Sequence, residues 1–144
     1  MLLTITRLDP TLPLPRYETA GAAGFDLASS VDMTIRPGEV TLVPTGLVIA
    51  VPEGHVLGIF ARSSTPLKRG LMVANGVGLV DSDYRGPKDE IKIEVFNFTA
   101  APVTVSRGDR LAQGVIIPFV RAEWQETAEP VATTRGGFGS TGSR

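Results

Sequence analysis

The sequence contains no cysteine and a single histidine, His55, in 144 residues. The first absence excludes a disulfide framework, a thiolate nucleophile and any cysteine-based zinc site; the second excludes paired imidazole ligands. Lysine is scarce as well. Of the 14 basic residues only Lys68, Lys88 and Lys92 are lysines, and the rest are arginines, whose planar fork matches carboxylate and phosphate oxygens. A net charge of -1 offers no basic footprint for duplex DNA. The longest apolar run, Val115 to Val120, is too short to span a bilayer, and Arg7 and Asp9 interrupt the apolar N-terminal stretch. A cytoplasmic location is expected, without membrane contact and without direct duplex DNA binding. Catalysis, if present, must rest on carboxylates, hydroxyls or a borrowed cation.

Turn residues are abundant instead. The 16 Gly and 11 Pro include Pro37-Gly38, Pro52-Glu53-Gly54, Arg85-Gly86-Pro87 and Arg107-Gly108-Asp109. Such signals recur about every eight to twelve residues with β-branched runs between them, an all-β rhythm. The clearest strand is Ile91 to Phe98, where alternation sets Ile91, Ile93 and Val95 on one face and Lys92 and Glu94 on the other. Further strands are expected over Leu2–Leu8, Thr34–Ile35, Val40–Pro44, Leu47–Val51, Val56–Ala61 and Leu111–Pro118. Their number suits a jelly-roll-like β-sandwich. One segment departs from this pattern. In Ser64 to Gly70, Thr65 suits an N-cap, Pro66 the first helical position and Gly70 a left-handed terminus, which predicts a single helical turn. Arg62, Ser63 and Ser64 before it would line a small anion-binding corner, or the segment is an ordinary capped connector. The β pattern stops near Gln125, so residues 1–124 read as the sandwich and 125–144 as a Gly-rich C-terminal arm that cannot fold alone.

Two acids, a tyrosine and an arginine crowd the turn Gly78 to Gly86. A calcium loop does not fit, since Arg85 and Lys92 stand where carboxylate ligands are required. A solvated hairpin tip is the plain alternative. Asp81, following the apolar Leu79-Val80 pair, also reads as a partly desolvated general base. The tail Arg135 to Ser143 superficially resembles a phosphate loop but has Ser143 where lysine is needed and no helix to follow. Phe138 among glycines and hydroxyls suits a flap that stacks on a base while amides and hydroxyls reach phosphate, against the default of a frayed terminus. Asp26 marks a strand start in Gly24 to Leu27, Gln113 lies in a strand, Asp109 reads as a turn residue and His55 as a surface residue.

In order, Ala23 to Leu27, Ala61 to Ser64, Asn75 to Gly86, Gly108 to Gln113 and Gly136 to Gly142 resemble the five motifs of the trimeric dUTP nucleotidohydrolase family. The resemblance spans nearly the whole chain, and five ordered motifs are far more specific than one. It implies a jelly-roll sandwich, a homotrimer whose active sites are shared between subunits, and hydrolysis of dUTP to dUMP and pyrophosphate. Such a reaction limits uracil incorporation into DNA and supplies dUMP for thymidylate synthesis. By the same resemblance Asp81 is the base that activates water toward the α-phosphorus. Asn75, Gly78 and Val80 belong to the hairpin that reads uracil, and Tyr84 packs under deoxyribose. Arg62, Ser63, Ser64 and Gln113 contact phosphates. Asp26 holds waters of a triphosphate-bound Mg2+, an outer-shell role. Phe138, Gly139, Ser140 and Thr141 form the closing flap, with Arg135 directed to the γ-phosphate. Two departures stand out: the family commonly has proline where Ala61 stands, and its tail arginine lies further before the phenylalanine than Arg135 does. A dCTP deaminase of the same fold and a non-enzymatic binding module are the alternatives.

Overall fold

The computed structural model describes residues 1–134 and Gly136. Eleven strands and one short helix occupy the described residues. In chain order the strands are β1 (Thr4–Arg7), β2 (Phe25–Ala28), β3 (Met33–Ile35), β4 (Val40–Pro44), β5 (Leu47–Ala50) and β6 (His55–Ala61). The helix α1 (Ser64–Arg69) follows, then β7 (Leu71–Val73), β8 (Gly78–Val80), β9 (Lys92–Asn97), β10 (Val103–Val105) and β11 (Arg110–Pro118). All pairings are antiparallel. The larger sheet has the order β2-β11-β6-β8, a second has β4-β9-β7, and the pairs β1-β5 and β10-β3 complete the jelly-roll sandwich.

The sheets face each other across an aliphatic core. Leu27, Leu57, Ile59 and Leu111 come from the larger sheet, Val43, Leu71, Ile93 and Val95 from the second, and Ile35, Ile49 and Val105 from the smaller pairs; all are buried. The alternation of the ninth strand has the expected outcome: Ile91, Ile93 and Val95 are buried while Lys92 is exposed. One buried polar residue ends that strand. Asn97 donates from Nδ2 to the carbonyls of Ile35 and Ala101, at 3.0 and 2.9 Å, and its Oδ1 accepts from Thr99. A buried amide so saturated joins β9, β3 and the turn that follows, with no unpaired group left to penalise.

The strands read from pattern appear within one or two residues at most ends, and Val40–Pro44 coincides. Three strands were not read from the pattern, β7, β8 and β10; each has only three residues, a length at which periodicity is a weak signal, and of the strands this short only β3 was expected, at Thr34–Ile35. The helical segment differs in register from expectation. Ser63 is the N-cap, with a helical backbone and no side-chain capping bond, and the helix starts at Ser64. Thr65, expected at the cap, is buried inside the helix, where its hydroxyl donates to the Leu111 carbonyl at 2.7 Å. Tertiary contact with β11 takes the hydroxyl that a cap would have used. Gly70 terminates the helix as expected, at φ 66°.

β11 lies centrally, paired with β2 on one side and β6 on the other. At its Gly114 there is no room for a side chain: an added Cβ would lie 2.6 and 2.7 Å from Phe25 ring carbons and 2.9 Å from Leu57 Cδ1. Gly114→Ala is therefore expected to destabilise the fold by about 1–3 kcal/mol through overpacking. Urea denaturation measures this; an unchanged midpoint would show that the Phe25 ring has room to move.

Candidate functional site

The register of β11 assembles a charged corner. Gln113 lies opposite Asp26, Ala112 opposite Leu27, and Arg110 opposite Ala28, with a bulge between Arg110 and Ala112. In an unbroken strand, residues three apart point to opposite faces. The extra residue, Leu111, brings Arg110 and Gln113 to the same face, that of Asp26, in the manner in which bulges re-aim side chains. The neighbouring pairing of Ala112 with Ala61 then brings Arg62, the next residue of the chain, to the same end.

The result is a carboxylate held from three sides. Asp26 is only 8% exposed. Its Oδ1 lies 2.8 Å from Arg62 Nε and accepts a longer bond, 3.4 Å, from Gln113 Nε2. Its Oδ2 lies 2.9 Å from Arg110 Nη1, which is also 3.0 Å from Glu18 Oε1. A carboxylate this buried requires such compensation, since an unpaired one would be strongly disfavoured. Beside it opens a cavity of about 400 Å³ whose lining includes Leu12, Pro15, Glu18, Ser29 and Arg110. Ser63 is exposed and Ser64 half-buried at the start of α1.

A bidentate clamp fixes α1 against this corner. Arg69 donates from Nη1 and Nη2 to the two oxygens of Asp109, at 2.7 and 2.8 Å, and Asp109 Oδ2 also accepts from the Ser106 amide at 2.9 Å. The bond to Arg69 holds the Asp109 carboxyl below its ordinary value, and Asp109 in turn raises Arg69. Asp109 is thus a turn residue, as its sequence context indicates, and also the tether between the helix and the turn leading into β11.

The acidic turn lies elsewhere. Asp81 follows β8 and is exposed, so the partial desolvation expected from Leu79-Val80 is not present in the single chain: Val80 is buried but Leu79 points outward. The Tyr84 and Arg85 amides bond the Asp81 and Asp83 carbonyls, at 3.2 and 3.0 Å, which folds Asp81 to Arg85 into a tight turn. Tyr84 donates its hydroxyl to the Glu90 carbonyl at 3.1 Å and leaves its ring accessible. Asp89 and Glu90 pin the loop, accepting from the amides of Gly86 and Gly46 at 2.6 and 2.8 Å. Asn75 is exposed in the turn before β8, while Gly78 and Val80 are buried in it.

The site residues read from sequence thus fall in two groups. Asp26, Arg62 and Gln113 meet, with Ser63 and Ser64 next to them; Asn75, Gly78, Val80, Asp81 and Tyr84 belong to β8 and its flanking turns. Val80 pairs with Leu57, so Asp81 is level with Val56, whereas Arg62 follows Ala61 at the opposite end of β6. Six residues of strand rise separate the levels of Asp81 and Arg62, about 20 Å. Arg135, Phe138, Gly139, Ser140 and Thr141 lie outside the described residues. Sequence reasoning missed Arg110, hidden because the bulge alone aims it at Asp26, and Glu18, for which the sequence carries no signal. Among the described residues no three His, Cys, Asp or Glu side chains cluster to hold a metal, and no helix is long and apolar enough to cross a membrane.

Comparison with known proteins identifies the family and the fold. The family model described as dUTPase matches residues 11–142. The deoxyuridine 5'-triphosphate nucleotidohydrolase of Desulfotalea psychrophila is 45% identical over 136 residues, covering 92% of this chain and 89% of that protein. The crystal structure of the Streptococcus mutans dUTPase superposes with a TM-score of 0.74 at 40% identity, over 77% of this chain and 89% of that one. A mutant dUTPase of Staphylococcus aureus phage phi11, whose structure details the coordination of a structural Mg(II) ion, has a TM-score of 0.80 at 22% identity, over 92% of this chain and all of that one.

The Arg69–Asp109 clamp generates a pH prediction. Because the folded Asp109 is more acidic than the unfolded residue, its contribution is complete above the ordinary value of 3.8 and is lost as pH falls through the lower folded value. Arg69→Gln should lower the melting temperature at pH 7, by the equivalent of about 1–3 kcal/mol for a charge-assisted, partly buried pair. The gap should close on acidification below pH 3.8. A gap independent of pH would rule out the ion pair as its source.

Proposed function

The chain belongs to the dUTPase family and is a dUTP nucleotidohydrolase, and we propose that it cleaves dUTP by directing a water molecule, activated by Asp81, at the α-phosphorus. Water oxygen bonds to phosphorus, its proton passes to Asp81, and the bond to the bridging oxygen breaks; dUMP and pyrophosphate leave. The observation that carries this reading is the convergence of Arg62 and Gln113 on one oxygen of Asp26, with Ser63 and Ser64 next in the chain after Arg62: donors gathered for an anion, with a carboxylate behind them. Arg62, Ser63, Ser64 and Gln113 bind the phosphates in this reading. The hairpin with Asn75, Gly78 and Val80 reads the uracil edge, where an unpaired polar group or an added methyl is rejected. Tyr84, tethered by its hydroxyl, offers its ring to deoxyribose. The arm at 125–144 places Phe138, Gly139, Ser140 and Thr141 over base and phosphates, and Arg135 at the γ-phosphate. Turnover then supplies dUMP for thymidylate synthesis and keeps uracil out of DNA, in the cytoplasm.

The donor set suits Mg2+ carried by the triphosphate. Asp26, already engaged by two guanidiniums, is suited to accept hydrogen bonds from the ion's waters rather than to coordinate it, and Mg2+ retains waters while binding substrate phosphates. When bound, the ion neutralises phosphate charge. The phage relative's structural Mg(II) ion lends support to metal binding in the family.

Distance supports assembly. A general base must lie within hydrogen-bond reach of its water. With about 20 Å between the levels of Asp81 and Arg62, one chain does not bring both to the same phosphates. A homotrimer that apposes the Asp81 end of one subunit to the Arg62 end of another does so. The nearly fully exposed Val120, Trp124 and Val131, beyond β11, are apolar surface available for a neighbouring subunit.

Asp81→Asn should lower kcat by about 10²- to 10⁴-fold with KM little changed, the signature of a lost general base. Pyrophosphate should be released from dUTP and not from dCTP or dTTP; ammonia released from dCTP would instead favour deaminase chemistry. Co-refolding Asp81→Asn with Arg62→Ala chains should restore roughly a quarter of wild-type activity, the fraction of intact shared sites under random pairing. Mixtures as inactive as their components would refute the shared site.

A further inference from the structure

Arg110 serves two carboxylates at once, and the two oxygens of Asp26 serve different neighbours. Oδ2 is anchored by Arg110, while Oδ1 faces Arg62 and Gln113. Without Glu18, one buried carboxylate would stand between two guanidiniums and the corner would carry a net positive charge. With Glu18 at 3.0 Å from Arg110 the charges of Asp26, Arg62, Arg110 and Glu18 cancel, and the fifth charge, on the solvated Arg16, is screened by water. Glu18 is itself positioned from outside, by Arg16 Nε at 3.0 Å, and Arg16 is largely solvated. The segment holding Glu18 lines the same cavity as Asp26 and Arg110.

We propose that Arg110 is a positioning residue that holds Asp26 by Oδ2 so that Oδ1, shared with Arg62 and Gln113, faces the phosphates, and that Glu18, by neutralising Arg110, sets the balance between divalent cation and triphosphate in this corner. The proposal rests on the assignment of Asp26 to the waters of a substrate-borne cation. Its physical basis is charge. When a triphosphate engages Arg62, the pairing of Asp26 to that side is shared, and the Arg110 anchor retains the carboxylate. An Arg110 left uncompensated would attract the more negative, metal-free triphosphate and oppose the cation. Glu18 therefore favours the metal-bound substrate over the bare one, although it touches neither.

The test is calorimetric binding of the non-hydrolysable α,β-imido analogue of dUTP to the full-length protein, in EDTA and at saturating Mg2+. The ratio of the two affinities is the coupling between cation and nucleotide. Glu18→Gln should tighten metal-free binding by about three- to tenfold, the effect of one unit charge several ångströms away, and reduce the coupling ratio correspondingly. Glu18→Asp, which keeps the charge, should remain close to wild type. Arg110→Gln should reduce the coupling ratio toward that of Asp26→Asn. A Glu18→Gln protein that binds both forms as wild type does, or loses affinity for both alike, overturns the role of Glu18; an unaltered ratio in Arg110→Gln overturns the anchoring role. If Asp26→Asn itself leaves the coupling ratio intact, the Asp26 assignment fails and the proposal falls with it. If Asp26→Asn loses the coupling and Glu18→Gln does not shift it, only the proposal fails.

Discussion

The pairing of β11 between β2 and β6, with one extra residue at Leu111, is the constraint on which the site depends. Register in a sheet is all or nothing, because a slip of one residue sends every side chain to the other face. Here the bulge applies that slip only at the start of one strand. Downstream of it Gln113 faces Asp26; upstream of it Arg110 does too. The same pairing delivers Ala61, and hence Arg62, to the end of the strand. Three polar side chains from distant parts of the chain thereby converge on one carboxylate, while Leu111 and Ala112 between them stay in the core.

Burying Asp26 is unfavourable by itself, and the surrounding contacts are what make it tolerable. Two guanidiniums and an amide satisfy its oxygens, Glu18 balances the excess charge, and hydrogen bonds hold the helix that follows Arg62. The Arg69–Asp109 clamp ties that helix to the turn leading into β11 and the Thr65–Leu111 bond ties it to β11 itself, so that the segment carrying Arg62, Ser63 and Ser64 cannot shift relative to Gln113 without breaking polar contacts. Stability and function are coupled here because the same strand supplies the core and the binding face.

The acidic turn obeys a different logic. It is not buried by its own chain; it is braced from beneath by Asp89 and Glu90 and left open on its outer side. An exposed carboxylate and an accessible tyrosine ring on a pinned turn suit a surface completed by a neighbour. In the proposed trimer, preorganisation comes from within each subunit and the enclosure from between subunits, a division that lets a chain of 144 residues surround a nucleotide.

Periodicity and turn chemistry carried the all-β class, the position of most longer strands and the left-handed Gly70, because these depend on neighbours along the chain. The motif order carried the family and its candidate residues. Three of the four three-residue strands were not read, since so short a stretch gives little periodicity, and Thr65 was misplaced because a bond to β11 outweighed the local capping preference. Glu18 and Arg110 required the structure altogether. Which chemical groups the protein possesses was determined by the sequence alone; which of them share one carboxylate was decided by a bulge and a strand register, because a through-space contact between residues 84 positions apart has no local signature.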